Sequence, residues 1–440
     1  MDDCQVRTKA EALDWIHGRE KVGIKPGLSR MEWMLDHVDH PERHLKFVHV
    51  AGTNGKGSTV CFISQVLRRN GYQVGTFTSP YLIDFTNRIQ VNDEDISEEE
   101  LVELLNQIIP LAEELEQTEL GGPSEFEVVT MLAILYFKKL LPDIIVWETG
   151  LGGRLDSTNV VYPLVSVITS IGYDHMEYLG HELKQIAMEK AGIIKSGVPV
   201  VSGVESEEAK NVIREYAEEK RATFYQLGEH FSILRNTIQQ IGSQFDFKDM
   251  FLTMPELKIS MIGAHQVKNA AVALMTLELL RQFYMFQIEE DSVYAGLEKT
   301  HWPGRFEMIH EHPRVVLDGA HNPEGARSLA DAISLFNYKR LILVTGILKD
   351  KAIEDFYTHL IPLANELIIT EPDYPRAAKA EAVADIIRLM GGTASLIVKE
   401  DWIEAVDSAI KAADAEDMIV ITGSLYMISD VRKYVLKHYK

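Results

Sequence analysis

Cysteine is nearly missing from this sequence, with two residues in 440, Cys4 and Cys61. Cys61 falls on the apolar face of a helix-period segment, so no disulfide framework is expected and a reducing cytoplasm is the natural setting. No run of about 18 apolar residues occurs, which argues against a membrane-spanning helix. The opening MDDCQVRTKAEALDWIHG has acidic residues where an export signal needs positive charge. Positive charge is in deficit: 44 Lys and Arg face 66 Asp and Glu, a formal balance of -22. That field repels nucleic acid and anionic membrane, so neither is expected as a partner, and Lys or Arg embedded in motifs gain weight as ligand contacts. Internal repeats and low-complexity tracts are also missing, and the clusters Glu98–Glu100 and Glu205–Glu208 read as solvated helix starts.

What remains is the composition of a globular chain too long for a single core, 46% hydrophobic and 25% charged. Short apolar runs, Phe47–Val50, Ile144–Trp147, Val165–Thr169 and Val198–Val201, alternate with helix-period segments, the pattern of a parallel sheet covered on both faces. From about Phe224 to Ile262 the runs shorten and alternate, which predicts antiparallel hairpins appended to that sheet's edge. A helix follows from about Gln266 to Phe283. The segment Leu297–Pro313 breaks both periodicities. A second strand and helix series then runs through Arg314–Asp318, Leu341–Thr345, Leu367–Thr370, Ser395–Val398 and Met418–Thr422. The expected division is a large domain over 1–296, a linker at 297–302 and a smaller domain over 303–440.

The most informative stretch is Phe47–Leu67, a buried strand, a Gly-rich turn and an apolar-periodic helix. Gly52, Gly55 and Gly57 let the backbone approach phosphate oxygens at the helix start, flanking Thr53 and Asn54. Lys56 adds a mobile positive charge, and Ser58 and Thr59 place hydroxyls in the first helical turn, where one can face a magnesium ion. This implies ATP binding. Only Thr53 and Asn54 separate the first Gly from the Gly-Lys pair, two residues fewer than in the ordinary Walker loop.

Other candidates sit at predicted strand ends, where open α/β sheets bind ligands. Glu148 follows Ile144–Trp147 and suits a carboxylate holding magnesium. Asp174 and His175 follow the next strand and can reach the same region. Lys190 reads, from the residues alone, as a solvated helix lysine. In the second domain Asp318 and His321 end an apolar strand, and Arg305 follows the linker, so a ligand between the domains could be clamped opposite the phosphate loop.

Taken in order, GTNGKGST (52–59), TSPYL (78–82), ETGLGGRLDSTN (148–159), SIGYDHMEYLG (170–180), EKAGIIK (189–195), HQVKNA (265–270), PGRFE (303–307) and LDGAHNP (317–323) resemble the folylpolyglutamate synthase and dihydrofolate synthase family of Mur-ligase-like amide ligases. The resemblance implies a P-loop NTPase-like domain with a mainly parallel sheet plus the hairpins, and a smaller C-terminal Rossmann-like α/β domain. It implies ADP-forming ligation: a pteroate or folate carboxylate attacks the γ-phosphate of ATP, and the acyl phosphate is taken by the amine of L-glutamate. On the matching positions it makes Lys56 and the loop amides phosphate ligands, Ser79 and Glu148 ligands of one magnesium, and Glu148 and His175 ligands of a second. Lys190 corresponds to a lysine carbamylated by CO₂. Asn269 and Arg305 correspond to nucleotide contacts, Asp318 and His321 to positions near the nucleotide and incoming glutamate. Arg88, in a mobile loop from Pro80 to Val91, and Asp156 fall beside the pterin, as does the segment Gly27–Arg30.

Three rivals frame this expectation. A monofunctional folylpolyglutamate synthase would extend folates only, whereas the favoured reading has both activities. A cell-wall amino-acid ligase would carry an extra N-terminal domain, for which the 46 residues before Phe47 are too few. A nucleotide-dependent switch would leave the second domain's Asp and His without a role, and no guanine-specific N-K-x-D segment is present. A monomer is expected, with its domains closing about the linker to keep water from the acyl phosphate.

Overall fold

The computed structural model describes residues 5–23, 25–392 and 394–439, so Cys4 lies outside the described residues. The first domain is built on an eight-stranded sheet. Its strands are β1 Phe47–Ala51, β2 Val74–Phe77, β3 Ile89–Val91, β4 Glu94–Asp95, β5 Ile144–Glu148, β6 Val165–Ile168, β7 Val200–Ser202 and β8 Phe224–Gln226. They lie in the order β4-β3-β2-β5-β1-β6-β7-β8. Pairing is parallel from β2 to β8, with β3 and β4 antiparallel at one edge.

The central strands read as continuous apolar runs because both sheet faces are covered. Val48, Val50, Ile144 and Val146 enter one core with the helices Lys56–Arg69 and Ala264–Tyr284. Their neighbours Phe47, Ile145 and Trp147 point the other way, into a core with the helices Glu98–Glu116 and Glu125–Leu140. The first of these helices begins at the acidic cluster Glu98–Glu100, as expected. Ser97 caps the first, ahead of three glutamates, and Ser124 forms a capping box with Glu127 in the second.

The stretch expected as hairpins on the sheet edge divides in two. Phe224–Gln226 is β8, a parallel strand of the main sheet, paired with β7. Strands β9 Ser232–Gln239, β10 Gly242–Lys248 and β11 Thr253–Ile259 form a separate antiparallel sheet. Phe245, Phe247, Met254 and Leu257 bring this sheet into the same core as helix Ala264–Tyr284, so it is attached by side-chain packing rather than by edge hydrogen bonds. Period-2 alternation shows that a segment is a strand and says nothing about its pairing partner.

The second domain contains β12 Glu307–Glu311, β13 Arg314–Leu317, β14 Leu341–Thr345, β15 Glu366–Ile369, β16 Ser395–Val398 and β17 Met418–Thr422, ordered β12-β13-β17-β14-β15-β16. All pairings are parallel except β12 with β13. Strand β12 falls in the segment whose periodicity is broken, and a register shift between Met308 and His310 is the reason its alternation is hidden. Helix Glu290–Lys299 covers Leu297 to Lys299, and the passage without regular structure runs from Thr300 to Phe306. No described helix is long and apolar enough to cross a membrane.

Candidate active site

Strand β1 ends at Ala51, and the chain turns through Gly52 to Gly55 into the helix Lys56–Arg69. Gly55 has φ +87°, and a Cβ there would stand 2.3 Å from Asn269 Oδ1, so backbone conformation and space both demand glycine. The loop is tied to the end of β6: Thr53 N–H donates to Ser170 O at 2.9 Å, Asn54 N–H to Ser170 Oγ at 2.9 Å, and Thr169 Oγ1 to Asn54 O at 2.6 Å. Lys56 Nζ folds back over the turn, donating to the carbonyls of Gly52 and Thr53 at 3.0 and 3.4 Å, and lies 4.0 Å from Glu148 Oε1. Ser58 and Thr59 are buried in the first helical turn, and Thr59 Oγ1 has no hydrogen-bond partner.

Glu148, the last residue of β5, is buried, and burial pushes its carboxyl up to about 7 against the pull of Lys56, the Ser79 N–H, Arg305 and Arg88. Ser79 N–H donates to Glu148 Oε2 at 3.3 Å, and Arg88 Nη2 to Ser79 Oγ at 3.3 Å. The sequence alone suggests a solvated Lys190; instead it is only 4% exposed. Its helix Leu183–Ala191 packs Ile186, Ala187 and Ala191 inward, and burial, helped by the charge of Lys56, lowers the Lys190 amine to about 7. His175, at φ +51°, is lowered to about 3 chiefly by burial, against the pull of Asp174 and with the charges of Lys351, His321 and Lys190 acting in the same direction as burial.

The second domain closes over these residues. Burial alone would raise Asp174, yet the hydrogen bond and charge of His321, with His175 and Lys351, hold its carboxyl well below the ordinary range. Lys351 Nζ donates to Asp174 Oδ1 at 2.6 Å, His321 Nε2 lies 3.3 Å from Asp174 Oδ2, and Asn322 Nδ2 donates to Asp174 Oδ2 at 3.2 Å. Asn322 also exchanges side-chain hydrogen bonds with Asn54 at 3.0 and 3.1 Å, joining the phosphate loop to the start of helix Pro323–Ile333. Asp318, beyond β13, accepts from Phe306 N–H and Ala320 N–H at 2.9 Å each.

Between the domains lies a cavity of about 660 Å³. Gly52 to Ser58, Ser79, Glu148, His175, Lys190, Asn269, Arg305, Asp318 and His321 all line it. Three expected residues do not. Thr59 is buried behind the loop. Arg88 lies on the first-domain side, against the rings of Phe85 and Phe126 and 3.6 Å from Glu125 Oε1. Asp156 is a buried cap that accepts from Leu151 N–H at 2.6 Å, Thr158 N–H at 3.0 Å and the Thr158 hydroxyl, organising the loop after β5. Lys351, Arg376 and Tyr426 line the cavity without having been singled out in the sequence. The signal available for Lys351 was its place just beyond β14, at a parallel strand's C-terminal end.

Among the described residues no three His, Cys, Asp or Glu side chains are gathered as a metal cage. The donor set still fits magnesium, which is held through one or two carboxylates together with phosphates and water. Buried Glu148 beside Ser79 offers the carboxylate, and the hydroxyl-bearing Ser58 and Ser79 line the same cavity.

A phosphate loop facing a second α/β domain across a cleft with buried charge is the layout of a nucleotide-dependent ligase. Residues 50–277 match the Mur ligase middle domain, and residues 304–425 the Mur ligase glutamate ligase domain. A dihydrofolate synthase/folylpolyglutamate synthase from Bacillus subtilis is 45% identical over 429 residues, covering 96% of this chain and 98% of its own. The folylpolyglutamate synthase structure from Thermotoga maritima is 37% identical, with TM-score 0.84 over 98% of this chain and 97% of its own. An Escherichia coli FolC structure in complex with DHPP and ADP is 28% identical, with TM-score 0.89 and full coverage of both chains, 100%. The chain belongs to the dihydrofolate synthase/folylpolyglutamate synthase family of Mur ligases, and it is an ATP-dependent, ADP-forming ligase acting on small molecules.

Proposed function

We propose that the chain joins L-glutamate both to dihydropteroate and to folyl-glutamate acceptors. The observation that carries this reading is the single cavity that gathers the phosphate loop, Glu148 and Lys190 from one domain and Arg305, Asp318 and His321 from the other. The Bacillus subtilis relative carries both activities in its name, which supports the bifunctional form.

In this reading the loop amides and Lys56 hold the β- and γ-phosphates, while Asn269, Arg305 and Asp318 hold the rest of the nucleotide. Two Mg²⁺ ions would be held by Ser79, Glu148 and His175 and would neutralise charge on the phosphoryl group. The acceptor carboxylate attacks the γ-phosphorus, and the bond to ADP breaks. The amine of L-glutamate, oriented by His321, attacks the acyl carbon; phosphate leaves and the amine gives up its proton. Lys190 takes up CO₂ on its neutral amine, losing a proton and becoming an anionic carbamate in a pocket whose other near charges include Lys56. Arg88 and Asp156 orient the pterin side, Asp156 through the loop it caps. The protein acts as a monomer in the cytoplasm, in keeping with the free thiol of Cys61.

The test is ATP-dependent phosphate release with Mg²⁺ and L-glutamate, comparing dihydropteroate with tetrahydrofolate and weighing the products by mass. Glutamylation of both acceptors is expected. Extension of tetrahydrofolate alone would make the chain a monofunctional folylpolyglutamate synthase, and inactivity toward both would overturn the assigned acceptors.

A further inference from the structure

Glu307 is a buried carboxylate for which the mechanism above has no use. Its side chain is 7% exposed, in a two-pronged pair with Arg432 of the last helix, Leu425–His438. Arg432 Nε donates to the two carboxylate oxygens at 2.9 and 3.1 Å, and Arg432 Nη2 lies 2.9 Å from Oε1. The Oε2 atom also accepts Gly304 N–H at 2.9 Å, so the carboxylate closes the turn Pro303–Glu307 upon itself.

That turn carries Arg305. Gly304 and Phe306, on either side of it, both have left-handed backbones, with φ +67° and +48°. A phenylalanine holds such a conformation only when its surroundings over-determine it. Phe306 N–H donates to Asp318 Oδ2 at 2.9 Å, and its ring stacks on Phe336 at 5.2 Å. A Cβ at Gly304 would meet Leu82 of the first domain and Ile428 of the last helix, each at 2.8 Å, so the turn is gripped from both sides. Arg305 is thereby laid against Gly319, where an added Cβ would stand 2.7 Å from Nη1.

We infer that Glu307 and Arg432 are positioning residues for ATP: they lock the turn so that Arg305 enters the cavity already oriented. The inference rests on the reading of Arg305 as a nucleotide contact. An arginine on a short irregular passage has many rotamers, and fixing its backbone beforehand removes an ordering cost from nucleotide binding. A carboxylate that only fastened the last helix would affect melting and leave the KM for ATP alone.

The experiment is a double-mutant cycle on the full chain, with Arg305→Ala, Glu307→Gln and the pair, reading KM for ATP, KM for L-glutamate and thermal melting. Glu307→Gln is expected to raise KM for ATP about tenfold with KM for L-glutamate changing less than about twofold, and to add nothing on the Arg305→Ala background. An unmoved KM for ATP, or the full factor again on that background, overturns the inference. Should Glu307→Gln not fold, Arg432→Lys, which keeps the charge and loses the fork, is read in the same cycle. If Arg305→Ala itself leaves KM for ATP unchanged, the nucleotide reading of Arg305 falls; if only the Glu307 and Arg432 variants are silent, the positioning role falls alone.

Discussion

An amine held near neutrality at ordinary pH is a nucleophile, and burial beside Lys56 makes Lys190 one. Supplied with isotopically labelled bicarbonate, the protein is expected to show a carbamate carbonyl resonance that vanishes in Lys190→Ala, with activity of that variant down about a hundredfold. No such resonance in the active protein would remove the modification from the mechanism. Glu307 has the opposite setting. Burial works to raise it, but His301, Arg432 and the Gly304 N–H outweigh burial and bring it from 4.5 down to about 2. A carboxylate low in the folded chain and ordinary in the unfolded one contributes stability above about pH 4.5 and loses it as pH falls toward about 2, worth about 3 kcal/mol at neutral pH. Melting of the parent and of Glu307→Gln should therefore differ most at neutral pH and converge across that acid window; a difference constant with pH would count against the pair. At this scale the sequence was most legible where chemistry coincides with a strand end, as at Glu148, His175, Asp318 and His321. It was least legible where burial decides the role, since LKQIAMEKA does not reveal which helix face is covered over Lys190.

Elements position these residues more tightly than their sequence signatures suggest. The short phosphate loop is braced from the end of β6 by Thr169 and Ser170, and Asn269 on helix Ala264–Tyr284 presses against Gly55. Gly55→Ala should weaken ATP binding at least about tenfold and destabilise the fold by about 1 kcal/mol, from the left-handed backbone and the Asn269 collision. Calorimetric titration with a non-hydrolysable ATP analogue alongside melting checks this, and wild-type affinity would mean that the loop has room that the packing denies. The buried parallel strands were legible because burial on both faces leaves an unbroken apolar run. Strand β12 was not, since its register shift offsets the alternation, and neither was the separate sheet β9 to β11, because attachment through Phe245, Phe247 and Leu257 is a matter of tertiary packing. Asp156 belongs here too: in sequence it stands among motif residues, while in the fold its acceptors are spent on Leu151 and Thr158.

For the whole molecule, the two domains share a buried polar seam, in which Asp174 takes Lys351, His321 and Asn322 from across the cleft. None of these pairings was visible in the sequence, because residues well over a hundred positions apart meet only through domain packing. Such a seam fits a closing device, since its bonds form only when the cavity is covered, and a covered cavity keeps water from the acyl phosphate. Asn322→Asp isolates this role. Aspartate still caps helix Pro323–Ile333 through the bond to Gly325 N–H, now 2.9 Å, so the local fold is kept. The donor to Asp174 and Asn54, however, becomes a second carboxylate against Asp174, which repels it. The variant is expected to show a larger radius of gyration by solution scattering with ADP and acceptor bound, and to release a few-fold more ADP per amide formed as the open cavity admits water. An unchanged radius with one ADP per amide would mean that the seam follows closure rather than holding it.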